Sequence, residues 1–527
     1  MSCDPPTGRC SCTPTPEETP MATTDVTPQT GSVRVSDGAA PTLSRSDSRV
    51  IWLLLGAAFV AILNETTMGV AIPHLIDDLD ITAVAAQWLT TAFMLTMAVV
   101  IPISGFLLQR FTTRAMFIAA MSLFSLGTLI AFVSPGFPLL VVARVVQASG
   151  TAIMMPLLMT TIMNTVPPQI RGRMMGRVSV VISLAPAIGP SMSGLLLDTV
   201  GWRWIFGIIL PLALLALAVG ARWIHNLGET SDAPIDVLSV ILSALGFGGL
   251  VFGLSQIGGG GHGGSGADAA SAAAMSTTTL IASFAIGGVA LALFIWRQVR
   301  LQRRDRALLD LRVFRSLNFS LAITQMAVMS LAFFGAITVI PLYMQTVLDV
   351  SALVTGLVVL PGALAMGFAG PVIGRIYDRF GTRVLLVPGA VVVSALLWTF
   401  TTFDQNTPVW VVAVAQTILS VGLALSFTPL FTASLASLQP RFYSYGSAIV
   451  GTVQQVAGAA GIALMVTVFA SVGAAAAGTG LDEFAAGAEG AHAAFRIAAI
   501  LSLPLIVGAF LIRKPADQPS PAGTPVH

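Results

Sequence analysis

The chain has 527 residues, of which 55% are apolar and only 9% are charged, and its formal net charge is +2. Soluble domains carry about 25% charged residues, so this composition excludes a soluble globular protein and indicates many membrane spans. The single lysine, Lys514, lies near the C-terminal end, which excludes a lysine-containing nucleotide loop within the apolar body. The histidines are scattered, so we predict no metal site there. We also expect no enzyme activity and no nucleic-acid partner.

Residues 1–49 are rich in proline, threonine, serine and aspartate and show no apolar periodicity. Such a segment cannot bury enough apolar surface to repay its ordering entropy, so we predict a disordered tail. Cys3, Cys10 and Cys12 lie within it, where the composition favours disorder over metal binding. Residues 513–527 are predicted to form a second tail.

Fourteen apolar stretches follow the N-terminal tail, each about as long as the 20 residues that a helix needs to cross the hydrocarbon core. Backbone groups find no partner in lipid, so these stretches must be helices, and the predicted fold is an all-α polytopic membrane protein. The stretches are 50–72, 83–108, 115–134, 138–162, 178–197, 203–224, 236–257, 277–297, 317–342, 352–374, 383–403, 407–430, 446–472 and 494–512.

The charges in the connections alternate along the chain. Arg110, Arg171 and Arg375 represent connections rich in arginine, whereas Asp78 and Asp349 represent the intervening acidic ones. Arginine-rich connections face the cytoplasm by the positive-inside rule. The sequence therefore predicts a multi-pass protein of the cell membrane with both tails in the cytoplasm.

An internal repeat divides the spans. The segment Gly105–Arg114 follows the second span, and a similar segment, Gly374–Arg383, follows the tenth span, 269 positions later. This offset predicts two six-helix bundles, 50–224 and 317–512, with two inserted membrane helices at 236–297. Parallel repeats of six helices, with a binding site between the halves, are typical of major facilitator transporters.

Four motifs carry a family resemblance. Gly374–Arg383 matches the major facilitator signature G-x-x-x-D-R-x-G-x-R, and Arg144 with Gln147 is similar to the R-x-x-Q motif of the fourth span. The fifth span resembles the antiporter motif at Ala185, Pro186, Gly189, Pro190 and Gly194. Leu63–Pro73 resembles the first span of the fourteen-span drug:proton antiporters of the EmrB/QacA type. Asn64-Glu65 within it resembles the subgroup that includes lincomycin-resistance multidrug exporters.

The resemblance implies the major facilitator fold and efflux of small amphipathic drugs or antibiotics, including cationic ones, by alternating access. The proton gradient would supply the energy without a cofactor, and the lipid bilayer would surround a chain that works as a monomer. The alternative is an exporter or flippase of an endogenous lipid or metabolite on the same fold, since fold alone does not determine the substrate.

Glu65 is the one acid that we place deep inside a span. A charge at the centre of a membrane helix costs about 2.5–3.5 kcal/mol, which favours reversible protonation. The resemblance implies a proton or substrate site, and the alternative is a protonated carboxyl group that serves packing. Asn64 either shares this site or caps a neighbouring helix.

Arg144 is expected to tune a nearby acid or to link helices, and the alternative is an arginine that extends to the headgroups at the outer edge. Gln147 lies three residues later on the same helix face and is a candidate hydrogen-bond partner for Arg144.

The two repeated segments are candidate gates. An aspartate near a helix end can form an ion pair with arginines that opens and closes, whereas the alternative is that the arginines only set the topology. The candidate gating residues are Gly105, Arg110, Arg114, Gly374, Asp378, Arg379, Gly381 and Arg383. The first copy has Gln109 and Thr112 in place of the aspartate and second glycine of the signature, so the resemblance predicts that Gln109→Asp is tolerated or improves activity.

Overall fold

The structure is a computed structural model that describes residues 44–81, 83–226, 236–259 and 268–512. Most of the predicted N-terminal tail with its three cysteines, the C-terminal tail and the centre of the glycine-rich connection lie outside these residues. The helices are α1 (Arg45–Leu79), α2 (Ala83–Arg110), α3 (Thr113–Val133), α4 (Phe137–Thr165), α5 (Arg171–Thr199), α6 (Arg203–Trp223), α7 (Val237–Gly259), α8 (Asp268–Leu301), α9 (Leu317–Thr346), α10 (Ala352–Phe380), α11 (Arg383–Phe400), α12 (Val409–Ala436), α13 (Tyr443–Gly478) and α14 (Glu483–Leu511).

All fourteen of these described helices are long and apolar enough to cross a membrane, which confirms the predicted span count and an all-α, multi-pass membrane protein. Several helices extend beyond the predicted spans. α1 begins at Arg45 because the side chain of Ser44 accepts a hydrogen bond from the backbone N–H of Asp47 at 3.1 Å. α1 continues to Leu79, so Asp78, which we assigned to a connection, is helical. These extensions are not visible in the hydropathy pattern, because a helix can continue past the hydrocarbon core into polar residues.

The helix contacts repeat with an offset of eight helices. In the first bundle, α1 packs on α4, α5 and α6, α2 packs on α4, and α3 packs on α4 and α6. In the second bundle, α9 packs on α12, α13 and α14, α10 packs on α12, and α11 packs on α12 and α14. The contacts between bundles are paired in the same way, α5 with α10 and α13 with α2. The fold is therefore two equivalent six-helix bundles plus two inserted helices. The residue boundaries proposed for its domains stay predictions.

The inserted helices sit beside one of the two seams between the bundles. α7 packs on α2 of the first bundle and on α13 of the second, and α8 packs on α7. The connection from α8 to α9 is structured, with two short 3-10 helices at Gln302–Arg304 and Leu311–Arg315. Ala307–Asp310 within it are buried.

Candidate functional site

The centre of the first bundle holds a fully buried arginine. Arg144 lies near the start of α4 and is 1% exposed, so it does not extend to the headgroups. Its Nη1 donates to Oε1 of Gln147 at 2.7 Å, and its Nε donates to the backbone carbonyl of Leu89 at 3.4 Å. The guanidinium carbon lies 4.1 Å from the centroid of the Phe93 ring, a cation–π contact. Arg144 thus joins α4 to α2.

Gln147 extends this network to α1 and α3. Its Nε2 donates to Oδ1 of Asn64 at 3.1 Å and to Oγ1 of Thr128 at 2.8 Å. The hydroxyl of Thr128 in turn donates a hydrogen bond to the carbonyl of Phe124 at 2.7 Å. Asn64 is fully buried, and its Nδ2 makes no hydrogen bond with any described residue. Asn64 therefore shares the site with Arg144 and Gln147.

Glu65 lies beside this network on α1. It is partly buried, and Arg144 acts electrostatically on it. Since consecutive helical residues differ by about 100° in direction, Glu65 and the fully buried Asn64 face different surroundings. A carboxyl group therefore lies within electrostatic range of a buried cation, which is an arrangement that can respond to gain or loss of one proton.

The antiporter motif packs on α1 directly after Glu65. A Cβ on Gly189 would lie 2.3 Å from Oγ1 of Thr66, so this close approach requires glycine. The hydroxyl of Ser193 donates to the carbonyl of Thr67 at 3.0 Å. α5 is thus fixed to the turn of α1 that carries Glu65.

The other motif residues differ in their surroundings. Ala185 is fully buried and Pro186 is exposed, whereas the side chain of Pro190 lies outside the described part of the chain. A Cβ on Gly194 would meet nothing within 4 Å. The close contact of α5 with α1 is therefore at Gly189 and not at Gly194.

Asp378 joins the two bundles at one end of the molecule, which we call the basic end: α2, α4, α10 and α12 end there, and α5 and α13 begin there. The carboxylate of Asp378 accepts hydrogen bonds from the backbone N–H groups of Gly172 at 2.7 Å and Arg173 at 2.8 Å, in the first turn of α5. The sequence predicts arginines as partners of Asp378, and these two N–H groups are further partners of its carboxylate. The exposed N–H groups and the dipole of a helix N-terminus provide an alternative site for a carboxylate.

Glycines bring α5 and α10 together below this contact. A Cβ on Gly374 would lie 2.1 Å from the carbonyl oxygen of Gly172, and a Cβ on Gly176 would lie 2.2 Å from that of Gly370. The signature residues Gly374–Phe380 are helical, so the predicted loop is the last part of α10. Gly381 forms the turn with φ +82, a conformation that favours glycine.

The first copy of the signature makes a different contact at the basic end. Nε2 of Gln109 donates to the backbone carbonyl of Arg441 at 2.6 Å, just before α13. A Cβ on Gly105 would lie 2.9 Å from Cβ of Ala448, so α2 and α13 are also in close contact. Thr112 has φ −65 and caps α3 by accepting from the N–H of Ala115 at 3.3 Å, which removes the need for glycine.

The arginines of the two signatures surround these contacts. Arg110 lies over the ring of Phe111 and Arg379 over that of Phe380, at 5.9 Å and 5.2 Å from the ring centroids. Arg114 and Arg383 are exposed in the first turns of α3 and α11. Backbone and amide contacts therefore hold α10 against α5 and α2 against α13 at the basic end.

The comparisons with known proteins agree with this geometry. The family model of the Major Facilitator Superfamily matches residues 54–462. The chain belongs to this family. The facilitator is 40% identical to an uncharacterized MFS-type transporter, YcnB of Bacillus subtilis (strain 168), over 89% of this chain and 95% of the relative. It is 37% identical to the lincomycin resistance protein LmrB of Listeria monocytogenes, over 80% of this chain and 86% of the relative.

A solved structure supports the same fold. The proton:xylose symporter XylE superposes on the facilitator with a TM-score of 0.57, covering 88% of this chain and 97% of the symporter at 14% identity. The family model and the relatives confirm the family resemblance read from the motifs, and the chain is a transporter.

Several residues of the facilitator's site were not indicated by its sequence. Thr128 and Phe93 are ordinary members of apolar spans, and only the packing of α3 and α2 on α4 gives them a role. Gly172 and Gly370 lie four residues from Gly176 and Gly374, so a repeated glycine spacing on α5 and α10 was the available signal.

Proposed function

We propose that this transporter exports amphipathic drugs or antibiotics in exchange for protons across the cell membrane, with the basic end and both tails in the cytoplasm. The observation that carries the proposal is the partly buried Glu65 beside the buried network of Arg144, Gln147 and Asn64. The likeness to a lincomycin resistance protein supports an antibiotic as the substrate class.

One carboxyl group is enough for the energetics. Each elementary charge that crosses 100 mV gains about 2.3 kcal/mol, so a proton-motive force of roughly 150 mV supplies about 3.4 kcal/mol per proton. For a substrate without net charge, this free energy supports a concentration ratio of about 300-fold at equilibrium. No further acid is required for export that restores drug tolerance.

In the proposed cycle, Glu65 loses its proton while the transporter is open to the cytoplasm, and the resulting negative charge favours binding of a cationic substrate. Reprotonation from outside removes that charge and releases the substrate. The closed basic end, held by Asp378 on α5 and Gln109 on α13, fits the state that has closed towards the cytoplasm.

The test is efflux of a fluorescent dye and of lincomycin from cells that express the chain, with and without an uncoupler. We expect Glu65→Gln to abolish uphill, uncoupler-sensitive efflux while the protein level in the membrane stays unchanged. Glu489→Gln is the matched control, since Glu489 is exposed in α14. Normal efflux in Glu65→Gln would refute proton coupling through Glu65. Absence of efflux in the unaltered protein would favour a lipid or metabolite as substrate.

A further inference from the structure

The end of α8 forms a basic recess outside the transport site. Its volume is about 570 Å³. The lining residues are Trp296, Arg297, Arg300, Leu301, Arg303 and Arg304. Four guanidinium groups and one indole ring therefore converge over the last turns of α8 and the short 3-10 helix that follows.

The described acids near this recess are already engaged. Both carboxylate oxygens of Asp236, at the start of α7, accept hydrogen bonds from Arg297 at 2.7 and 2.8 Å. Asp305 and Asp310 both bind Arg312. Arg300, Arg303 and Arg304 are all exposed and have no acidic partner among the described residues, so their positive charges are available to an anion.

An aromatic side chain orients one of these arginines. The guanidinium carbon of Arg300 lies 4.0 Å from the ring centroid of Trp296, which is 53% exposed. Tryptophan is enriched at the level of the headgroups, where one side of its ring is apolar and its N–H reaches polar groups. The stacked Trp296 and Arg300 thus place the recess at the membrane–water boundary.

Apolar side chains continue the same helix surface towards the bilayer centre. Val289 and Leu293, seven and three residues before Trp296 on the same face of α8, are 63% and 47% exposed. A free anion would gain nothing from this apolar surface, whereas the acyl chains of a lipid would cover it. The combination of a basic recess with an exposed apolar stripe below it fits an anionic lipid.

We propose that this recess binds the phosphate headgroup of an anionic phospholipid, with Arg300, Arg303 and Arg304 contacting the phosphate and Trp296 packing beside the glycerol. Basic pockets at the cytoplasmic ends of membrane helices bind such headgroups in other proteins. Of the two inserted helices, α7 packs on α2 of the first bundle and on α13 of the second, and α8 packs on α7. Bound lipid would therefore anchor the inserted helices where they contact both bundles.

The test is binding of phosphatidylglycerol to the purified full-length protein in neutral detergent, followed by native mass spectrometry and by thermal unfolding. Each basic residue at an anionic membrane surface contributes about five-fold to affinity. The double variant Arg303→Gln/Arg304→Gln should therefore bind phosphatidylglycerol roughly 30-fold more weakly. Both side chains are exposed, and the Arg297–Asp236 pair that joins α8 to α7 is retained.

The matched control is Arg222→Gln. Arg222 is an exposed arginine in the last turn of α6, at the same end of the molecule and next to the exposed Trp223. We expect its phosphatidylglycerol binding to equal that of the unaltered protein. Equal losses in Arg222→Gln and in the double variant would overturn the proposal, because they would indicate nonspecific attraction.

Two further probes separate lipid from other anions. Phosphatidylcholine carries no net charge and should give no protection against thermal unfolding. Inorganic phosphate and glycerol 1-phosphate should protect only weakly, because they lack acyl chains. Protection by inorganic phosphate equal to that by phosphatidylglycerol, or lipid binding unchanged in the double variant, would refute a lipid site at this recess.

Discussion

Asn64 and Glu65 are neighbours in the sequence but differ in their surroundings. Asn64 faces Gln147 in the interior of the first bundle, whereas Glu65 is partly exposed. The buried Nδ2 of Asn64 has no described acceptor, and leaving a buried polar group unpaired costs about 1–3 kcal/mol.

The first prediction concerns a relocated acid. In Asn64→Asp/Glu65→Gln, the carboxylate at position 64 keeps an acceptor for Nε2 of Gln147 and removes the unpaired amide. We expect this double variant to recover part of the uphill efflux that Glu65→Gln alone loses, because the new carboxylate lies within the Arg144–Gln147 network. The recovery is measured as dye efflux with and without an uncoupler. Efflux as low as in Glu65→Gln would show that only position 65 can carry the proton.

The sequence predicted part of this network. The spacing of Arg144 and Gln147 placed them on one helix face, and the structure gives their hydrogen bond. The sequence left the role of Asn64 open because its contact depends on how α1 packs on α4. The same reason hides Thr128 and Phe93, since no local pattern records which neighbouring helix supplies a partner.

At the scale of the helices, Asp378 connects the end of α10 to the start of α5. We predict that Asp378→Asn weakens the closure of the basic end, because the amide offers one acceptor oxygen and no charge to the N–H groups of Gly172 and Arg173. Hydrogen bonds to charged groups contribute about 1.5–3 kcal/mol, so the closed state should lose roughly 10- to 100-fold in population. Transport assays at equal protein level should show a large decrease.

The control for this prediction is Asp80→Asn. Asp80 is exposed just after α1 and has φ 50, a conformation that asparagine also adopts. Transport should be unaffected in this variant. Full activity of Asp378→Asn would show that the contact with α5 does not control closure and that the arginines serve topology alone.

The first copy of the signature leads to a different prediction. The family pattern predicts that an acid at position 109 is tolerated, but Gln109 donates its amide proton to the carbonyl of Arg441. A carboxylate has no proton to donate and would face that carbonyl oxygen. We therefore expect Gln109→Glu, which preserves the side-chain length, to reduce transport, and Gln109→Asp to do the same. Activity equal to that of the unaltered protein in both variants would favour the family pattern.

The contact between the inserted helices predicts a pH dependence. The hydrogen bond from Arg297 holds the pKa of Asp236 below its usual value. A depressed carboxyl pKa stabilises the folded state above the unfolded pKa of about 3.9, and this contribution is lost as the pH falls through the folded value. Below about pH 4, the thermal midpoint should therefore decrease with falling pH less steeply in Asp236→Asn than in the unaltered protein. Identical pH profiles would contradict a role of this pair in stability.

At the scale of the whole molecule, hydropathy and the 269-residue offset predicted the number of helices and the repeat. The structure adds the contacts, which repeat with an offset of eight helices. The position of α7 between α2 and α13 could not be predicted, because apolar helices in lipid show no pattern that distinguishes a protein neighbour from acyl chains. Burial of the connection Ala307–Asp310 could not be predicted either, because it depends on Gln298 of α8, whose side-chain oxygen accepts hydrogen bonds from the N–H groups of Leu308 and Leu309.

The last prediction concerns orientation in the membrane. Insertion of a reporter protein between α8 and α9 would disrupt the buried connection, so single cysteines are the better probe. The three native cysteines all lie within residues 3–12 and can be replaced without altering the helices. With the basic end in the cytoplasm, Gln405→Cys, exposed between α11 and α12, should react with a membrane-impermeant maleimide in intact cells. Arg315→Cys, exposed at the basic end, should react only after permeabilisation, because the positive-inside rule places it in the cytoplasm. The reverse labelling pattern would show that the topology is inverted. The direction of proton flow assigned to Glu65 would then be wrong.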